Sequence, residues 1–403
     1  MSAIVSGTAH PDFAAVEVEF ARNFAERGEV GASLHVTVEG ETVVDLWGGH
    51  VAGRPESGEA APWLADTLVV VFSSTKGWVA LCAHLLVARG ELDLEAPVAE
   101  YWPGFAKAGK AAVTVRMMLD HSAGVPTWRE KLPAGAAYDW ELMVARLEEE
   151  EPFWEPGTRN GYHMLSFGWT VGELVRRVSG RSLGTFLREE LAGPLGADVW
   201  IGLPEAEEGR VSNMIPFVPD PVSPSAFTEA IRADRRGLQS LALMNQGGFN
   251  PNRREGRAAE IGGGGGMASG RGMARLYGPF ANGGGGLVDP DTLARMGDVA
   301  VATESDAVLL LPTRFALGFM KSMDNRRRAS GDRYSAILGR EAFGHVGAGG
   351  SLGFADPACR MSFGYAMNRH GEGILLNDRG QSLVDATYRC LGYRSDASGA
   401  WTR

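Results

Sequence analysis

Cysteine is scarce in this 403-residue chain: Cys82, Cys359 and Cys390 are the full set. Three widely spaced thiols exclude a disulfide framework and lack metal-ligand spacing. Cys82 falls on an apolar helical face and reads as a packed thiol. Positive charge is also short, with 39 Lys and Arg against 49 Asp and Glu and a net charge of -10. With no basic run to offset that balance, nucleic acid is excluded as a partner, and the one basic triple, Arg326-Arg327-Arg328, reads as a solvated loop. Long hydrophobic runs are missing: the best candidate, Val69 to Leu86, is interrupted by Lys76 and His84, so no membrane span is expected. Met1 to Thr8 has neither a basic start nor an apolar core, which speaks against a secretory signal and for a cytoplasmic setting. The run Gly262 to Gly266 has no Gly-Lys-Ser/Thr after it and no strand before it. A phosphate loop is excluded there, and flexible backbone before a helix is expected.

What remains is ordinary globular material, 44% hydrophobic and 22% charged, long enough for one large domain or two intimate ones. Phe13 to Arg27 carries apolar residues at helical spacing. Ala32–Val38 and Thr42–Trp47 alternate around a Glu39-Gly40-Glu41 turn and predict a hairpin. A loop through Gly48–Pro62 then leads to Val69. Thr114 is placed to cap a short helix ending at Leu119. Residues 139–150, 162–178 and 182–191 have helical periodicity, residues 204–257 read as long connections forming a lid or wall, and 273–280 reads as a helix. Alternation returns at 316–320, 342–346, 351–355 and 361–367, and a helix over 381–390 follows. Strands at both ends predict one antiparallel β-sheet flanked by helices, an α/β (α+β) architecture with a mainly helical lobe inserted. The expected units are 1–105, 106–265 and 266–403.

Val69-Val70-Val71-Phe72-Ser73 is apolar up to the serine and resumes as an alanine- and leucine-rich helix, which puts Ser73 at a helix start. Lys76 lies one turn along the same face, within reach of the Ser73 hydroxyl. A partly desolvated lysine with a lowered pKa is a base for a serine nucleophile; the plain alternative is a helix cap followed by a solvated lysine. The loop Trp154 to His163 presents Tyr162, either as a proton carrier whose pKa cationic Lys76 would lower or as packing for Phe167 and Trp169. Phe343 to Gly350 reads as a strand with glycines where a substrate approaches the backbone. His345 and Gly347 would line it, and the Ala348 and Ser73 amides would form an oxyanion hole; otherwise His345 is a sheet-edge histidine. Ser182 and Ser351 both sit in Gly-x-Ser-x-Gly, but a nucleophile elbow needs a strand before the serine and a helix after it. Ser182 follows a helix and Ser351 leads into a strand, so neither qualifies.

Ser73-Ser74-Thr75-Lys76, Leu92-Asp93-Leu94, His121-Ser122-Ala123-Gly124-Val125-Pro126, Pro156-Gly157-Thr158, Gly161-Tyr162-His163 and His345-Val346-Gly347 occur in an order that resembles the serine β-lactamase and penicillin-binding-protein superfamily. Within it the resemblance is to the class C β-lactamase-like carboxylesterases, the family VIII esterases. It implies an α/β domain plus a helical domain, Ser73 as nucleophile, Lys76 and Tyr162 as the base and acid pair, and an acyl-enzyme. Two departures bear on substrate: Met164 stands where class C β-lactamases carry the asparagine of Tyr-x-Asn, and His345-Val346 replaces Lys-Thr. Both favour an uncharged small-molecule ester over a penicillin. The expectation is a metal-independent serine carboxylesterase without cofactor. Its rivals are an acyltransferase to a metabolite alcohol, a weak β-lactamase or D-amino-acid peptidase, and a catalytically silent binding protein; no oligomeric state follows.

Overall fold

The alternating residues after the first helix close as the expected hairpin, with Leu34 opposite Leu46, and the C-terminal strand pairs against the same element, with Tyr365 opposite Leu34. The two ends of the chain therefore share one sheet. These contacts come from a computed structural model that describes residues 5–53, 61–218 and 224–403. Part of the Gly48–Pro62 loop, part of the 204–257 connection and Met1–Ile4 lie outside the described residues.

In chain order the strands are β1 (Val5–Ala9), β2 (Gly31–Val38), β3 (Glu41–Gly49), β4 (Val69–Val70), β5 (Val199–Trp200), β6 (Met267–Ala268), β7 (Val301–Thr303), β8 (Thr313–Phe315), β9 (Phe343–Val346), β10 (Leu352–Asp356) and β11 (Met361–Met367). The main sheet runs β1-β3-β2-β11-β10-β9, antiparallel throughout. β1 gives little local pattern in the sequence and forms because the exposed edge of β3 supplies its hydrogen bonds. A small sheet, β4-β6-β5, ties the chain just before Ser73 to the end of the glycine run.

Helix α1 (Ala14–Glu26) buries Val16, Phe20 and Asn23 against helix Asp378–Cys390, where Asn23 Nδ2 donates to Arg379 O at 3.1 Å. Helix α2 (Ser74–Ala88) is buried at every position from Ser74 to Leu86. A helix apolar all round belongs in the interior, and α2 lies between the β9–β10 side of the sheet and helix Ser166–Ser179. One apolar cluster surrounds α2 and the helical middle, and a second fills the space between the sheet, α1 and helix Asp378–Cys390. Among the described residues no helix is long and apolar enough to cross a membrane.

Several local expectations need correction. The helix expected from 162 begins at Ser166; residues 160–163 stay outside it because the Tyr162 amide is taken by Asp306 and the His163 amide by His121 Nδ1, and a turn at 164–165 leads into the helix. The strand expected over 316–320 is a turn closed by Ala316 N to Phe319 O at 2.8 Å, and pairing has moved to β8. The 204–257 segment holds helices Ala226–Ala233, Leu238–Met244 and Arg254–Ala258. The glycine run is buried, not loose: a Cβ on Gly263 would stand 2.3 Å from Leu165 O, so glycine is there because another backbone lies against it.

Candidate active site

Ser73 is the N-cap residue of α2, yet its side chain makes no capping bond, so the hydroxyl is left for other work. The turn before it is strained: Phe72 has φ +44°, a conformation that costs a non-glycine residue about 1–3 kcal/mol. Thr75 holds it, donating to Phe72 O at 2.5 Å and accepting from Gly266 N at 2.9 Å, while Val71 N donates to Gly266 O at 2.9 Å.

Lys76 Nζ is 3.1 Å from Ser73 Oγ, 2.5 Å from Met164 O and 2.6 Å from Gly263 O, and the side chain is fully buried. Burial lowers its pKa well below the ordinary lysine range. A neutral amine has two N–H donors and one lone pair; the two carbonyls take the donors, and the lone pair is left for Ser73. Both carbonyls belong to the backbone, so no side-chain signal in the sequence announces them, although the glycine run is the trace of the close approach that one of them needs.

Tyr162 packs parallel to Phe315, with ring centroids 5.9 Å apart, instead of against Phe167 and Trp169, and its ring lies 4.7 Å from Lys76 Nζ. Its hydroxyl is buried without a well-formed hydrogen bond. The expected lowering of its pKa is reversed: burial pushes the phenol up and Asp306 adds to the rise, with the Ser73 hydroxyl alone acting the other way. The segment is fixed by Asp306, which no sequence reading singled out. That buried carboxylate accepts from Tyr162 N at 3.0 and 3.1 Å and from Val308 N and Leu309 N at 2.9 Å.

His345 lies on β9, the edge strand of the sheet, yet its side chain is buried, 6.0 Å from the Tyr162 ring centroid. Its Nδ1 donates to Val346 O at 2.7 Å, so the proton sits there and Nε2 is bare and unpartnered. Burial, aided by Lys76, pushes its pKa down to about 3. The ring is uncharged at any working pH, as the exchange of lysine for histidine implied. His121, at φ +68°, flanks Tyr162 from another side with ring centroids 5.0 Å apart.

Ala348 lies in the turn Gly347–Gly350 between β9 and β10, closed by Gly350 N to Gly347 O at 3.0 Å. Among the described residues neither the Ser73 nor the Ala348 amide has a protein acceptor. Two hydroxyls brace their elements together: Ser74 Oγ donates to His345 O at 3.1 Å, Ser351 Oγ donates to Val71 O at 2.8 Å, and the two oxygens are 3.3 Å apart. A Cβ on Gly347 would stand 2.0 Å from Val71 O, so only glycine admits this contact. Ser351, fully buried and committed to a carbonyl, is a brace, and Ser182 caps helix Leu183–Leu187 while donating to Glu260 at 2.7 Å.

The beta-lactamase family model matches residues 20–384. The esterase/beta-lactamase LipL of Mycobacterium tuberculosis is 34% identical over 93% of this chain and 85% of its own length. The crystal structure of a family VIII carboxylesterase superposes with a TM-score of 0.82 at 39% identity, covering 96% of this chain and all of that one. A penicillin-binding protein homologue from Caulobacter crescentus superposes with a TM-score of 0.84 at 34% identity, with coverage of 96% and 100%.

Proposed function

From the premise that this chain belongs to the beta-lactamase family, we propose that it is a serine hydrolase cleaving carboxylic esters of small or medium acyl groups through an acyl-enzyme on Ser73. The observation that carries the reading is the buried Lys76 amine, its pKa lowered well below the ordinary lysine range, hydrogen-bonded to Met164 O and Gly263 O and 3.1 Å from Ser73 Oγ. Ser73 Oγ attacks the ester carbonyl as its proton passes to Lys76. The Ser73 and Ala348 amides take the negative charge that develops on the carbonyl oxygen. Tyr162, a protonated phenol without an acceptor of its own, gives its proton to the departing alkoxide and recovers one from the Lys76 ammonium. Water then attacks the acyl-enzyme by the reverse sequence, Lys76 and Tyr162 carrying the protons as a pair.

In this reading units 1–105 and 266–403 supply the nucleophile and the oxyanion amides, and unit 106–265 supplies Tyr162. Neutral His345 and Gly347 line the substrate, and the likeness to LipL and to a family VIII carboxylesterase supports an ester as that substrate. The test is intact-protein mass spectrometry after brief exposure to p-nitrophenyl butyrate, with peptide mapping and a release assay. An acyl adduct on the Ser73 peptide, absent in folded Ser73→Ala together with turnover, is the expected outcome. An adduct elsewhere, or turnover by folded Ser73→Ala, sinks the assignment. Added alcohol that yields new ester in place of acid would make the enzyme an acyltransferase, and neither adduct nor turnover would make the chain a silent binding protein.

A further inference from the structure

When Tyr162 gives up its proton the ring becomes a phenolate enclosed in the protein, and burial makes that anion costly. The charge needs a donor. Lys76 Nζ lies 4.7 Å from the ring centroid, and the rings of His121, Phe315 and His345 lie at 5.0, 5.9 and 6.0 Å. Phe315 has no donor, the ring proton of His345 is given to Val346 O, and Lys76 is bonded to Met164 O and Gly263 O. His121 has a donor to spare. Its Nδ1 accepts from His163 N at 3.2 Å, so the proton of the neutral ring sits on Nε2. That N–H is buried and, among the described residues, has no hydrogen-bond partner. What packs on the imidazole is aromatic: His163, Phe167 and Phe315, besides Tyr162, lie with centroids at 5.5, 5.1 and 4.7 Å.

The same imidazole is tied to the segment that carries the tyrosine. The amides on either side of Tyr162 both donate to His121, Gly161 N to its carbonyl oxygen at 3.1 Å and His163 N to its Nδ1. His121 makes these bonds at φ +68°, a backbone conformation unfavourable for a residue with a side chain. Ring and tyrosine are therefore held in one relation. We propose that His121 is a positioning residue for the acid step, its Nε2–H stabilising the phenolate formed when the Tyr162 proton passes to the departing alkoxide. As the ester C–O bond breaks, the alkoxide oxygen takes the phenol proton and leaves as alcohol. The phenolate regains a proton from the Lys76 ammonium, and His121 keeps its own throughout. An N–H against a neutral ring is a weak contact; against a ring that carries negative charge it is charge-assisted and stronger. The gain is made in the transition state. The proposal rests on the ester-hydrolase reading with Tyr162 as acid, and it bears on alkyl esters, whose alkoxides must be protonated to leave.

The experiment sets two acetates of similar size before the full-length enzyme: p-nitrophenyl acetate, whose alcohol departs as a stable anion, and benzyl acetate, whose alkoxide needs the proton. Both are read as kcat/KM, which covers the acylation step in which the alcohol departs. His121→Asn tolerates the positive φ and removes the ring donor. It should raise the ratio of kcat/KM for p-nitrophenyl over benzyl acetate at least about tenfold, and His121→Phe should raise it likewise. Because both esters are read on one preparation, loss of folded enzyme cancels from the ratio. An unchanged ratio, with both esters slowed alike, is the mark of a structural histidine and overturns the assignment. Tyr162→Phe separates the two readings: a raised ratio there without one in His121→Asn fails His121 alone, whereas an unchanged ratio in Tyr162→Phe removes the acid on which the proposal depends. Nitrogen-15 NMR of the unaltered enzyme needs no variant. His121 should carry its proton on Nε2, with coupling from the His163 amide to Nδ1; a proton on Nδ1 overturns the proposal.

Discussion

At Lys76 the cost of burying an ammonium and the two carbonyls beside it act in opposite directions, and burial prevails. The sign of the pH dependence follows. The base must be neutral, so kcat/KM is full above the Lys76 pKa and falls about tenfold per pH unit below it. The Tyr162 phenol, pushed up by burial, keeps its proton beyond the ordinary value of about 10, so no alkaline loss is expected below that pH. His345 and His163, pushed down to about 3 and about 4, stay neutral across the range. The expected profile has one acidic limb, which His345→Asn leaves in place while changing its height. A profile flat down to pH 4 would contradict a lysine base. Lys76→Ala should cost about 10²- to 10⁴-fold in kcat. Ser73, Lys76 and Tyr162 could be picked out of the sequence as candidates because the chemistry proposed for them resides in their side chains. Met164 and Gly263 could not, because they act through carbonyls that every residue has.

At the scale of elements, catalysis depends on how the start of α2 and the β9–β10 turn are held together. Ser74 and Ser351 tie them from both sides, and Gly347 lets them touch. Ser351→Ala leaves Val71 O with the Ser74 amide as its remaining donor, at 3.1 Å, and loosens the tie between the Ser73 and Ala348 amides without touching substrate. The expected result is a kcat about ten- to a hundredfold lower with little change in KM, and an equal loss of affinity for a phosphonate transition-state analogue. A merely structural serine would lower the melting temperature and leave that affinity alone. Gly347→Ala should be more severe, since the backbone must move to relieve a 2.0 Å contact; circular dichroism with the release assay separates misfolding from misplacement. The strand that follows Ser351 argued against an elbow nucleophile despite the Gly-x-Ser-x-Gly pattern, but the partners of this serine come from residues 71 and 74, some 280 positions away.

At the scale of the whole molecule the first and last thirds are joined by a buried ion pair as well as by the sheet. Arg379 of the C-terminal helix pairs with Glu29 at 2.9 Å, and Tyr365 of β11 donates to the same carboxylate. Glu29 is 6% exposed and Arg379 5%. Removing one partner leaves a buried charge without compensation, so Arg379→Met should cost about 3–5 kcal/mol, roughly 5 °C in melting temperature for a chain of this length. The paired change Glu29→Leu with Arg379→Met should cost less than the single one, because no lone charge is left buried. Differential scanning calorimetry of the two variants and the unaltered chain checks the order, and a paired variant less stable than the single one would refute it.

The sequence by itself determined the antiparallel sheet shared by the chain ends, the central helix and the serine at its start. Those features depend on local period, on apolar runs and on side-chain chemistry, all written in consecutive residues. Tertiary structure alone decided that burial lowers the Lys76 pKa and raises that of Tyr162, that Ser351 is a brace and that the glycine run is packed solid. Each of these is set by desolvation or by a carbonyl brought from a distant part of the chain, and neither has a signature in the order of the residues.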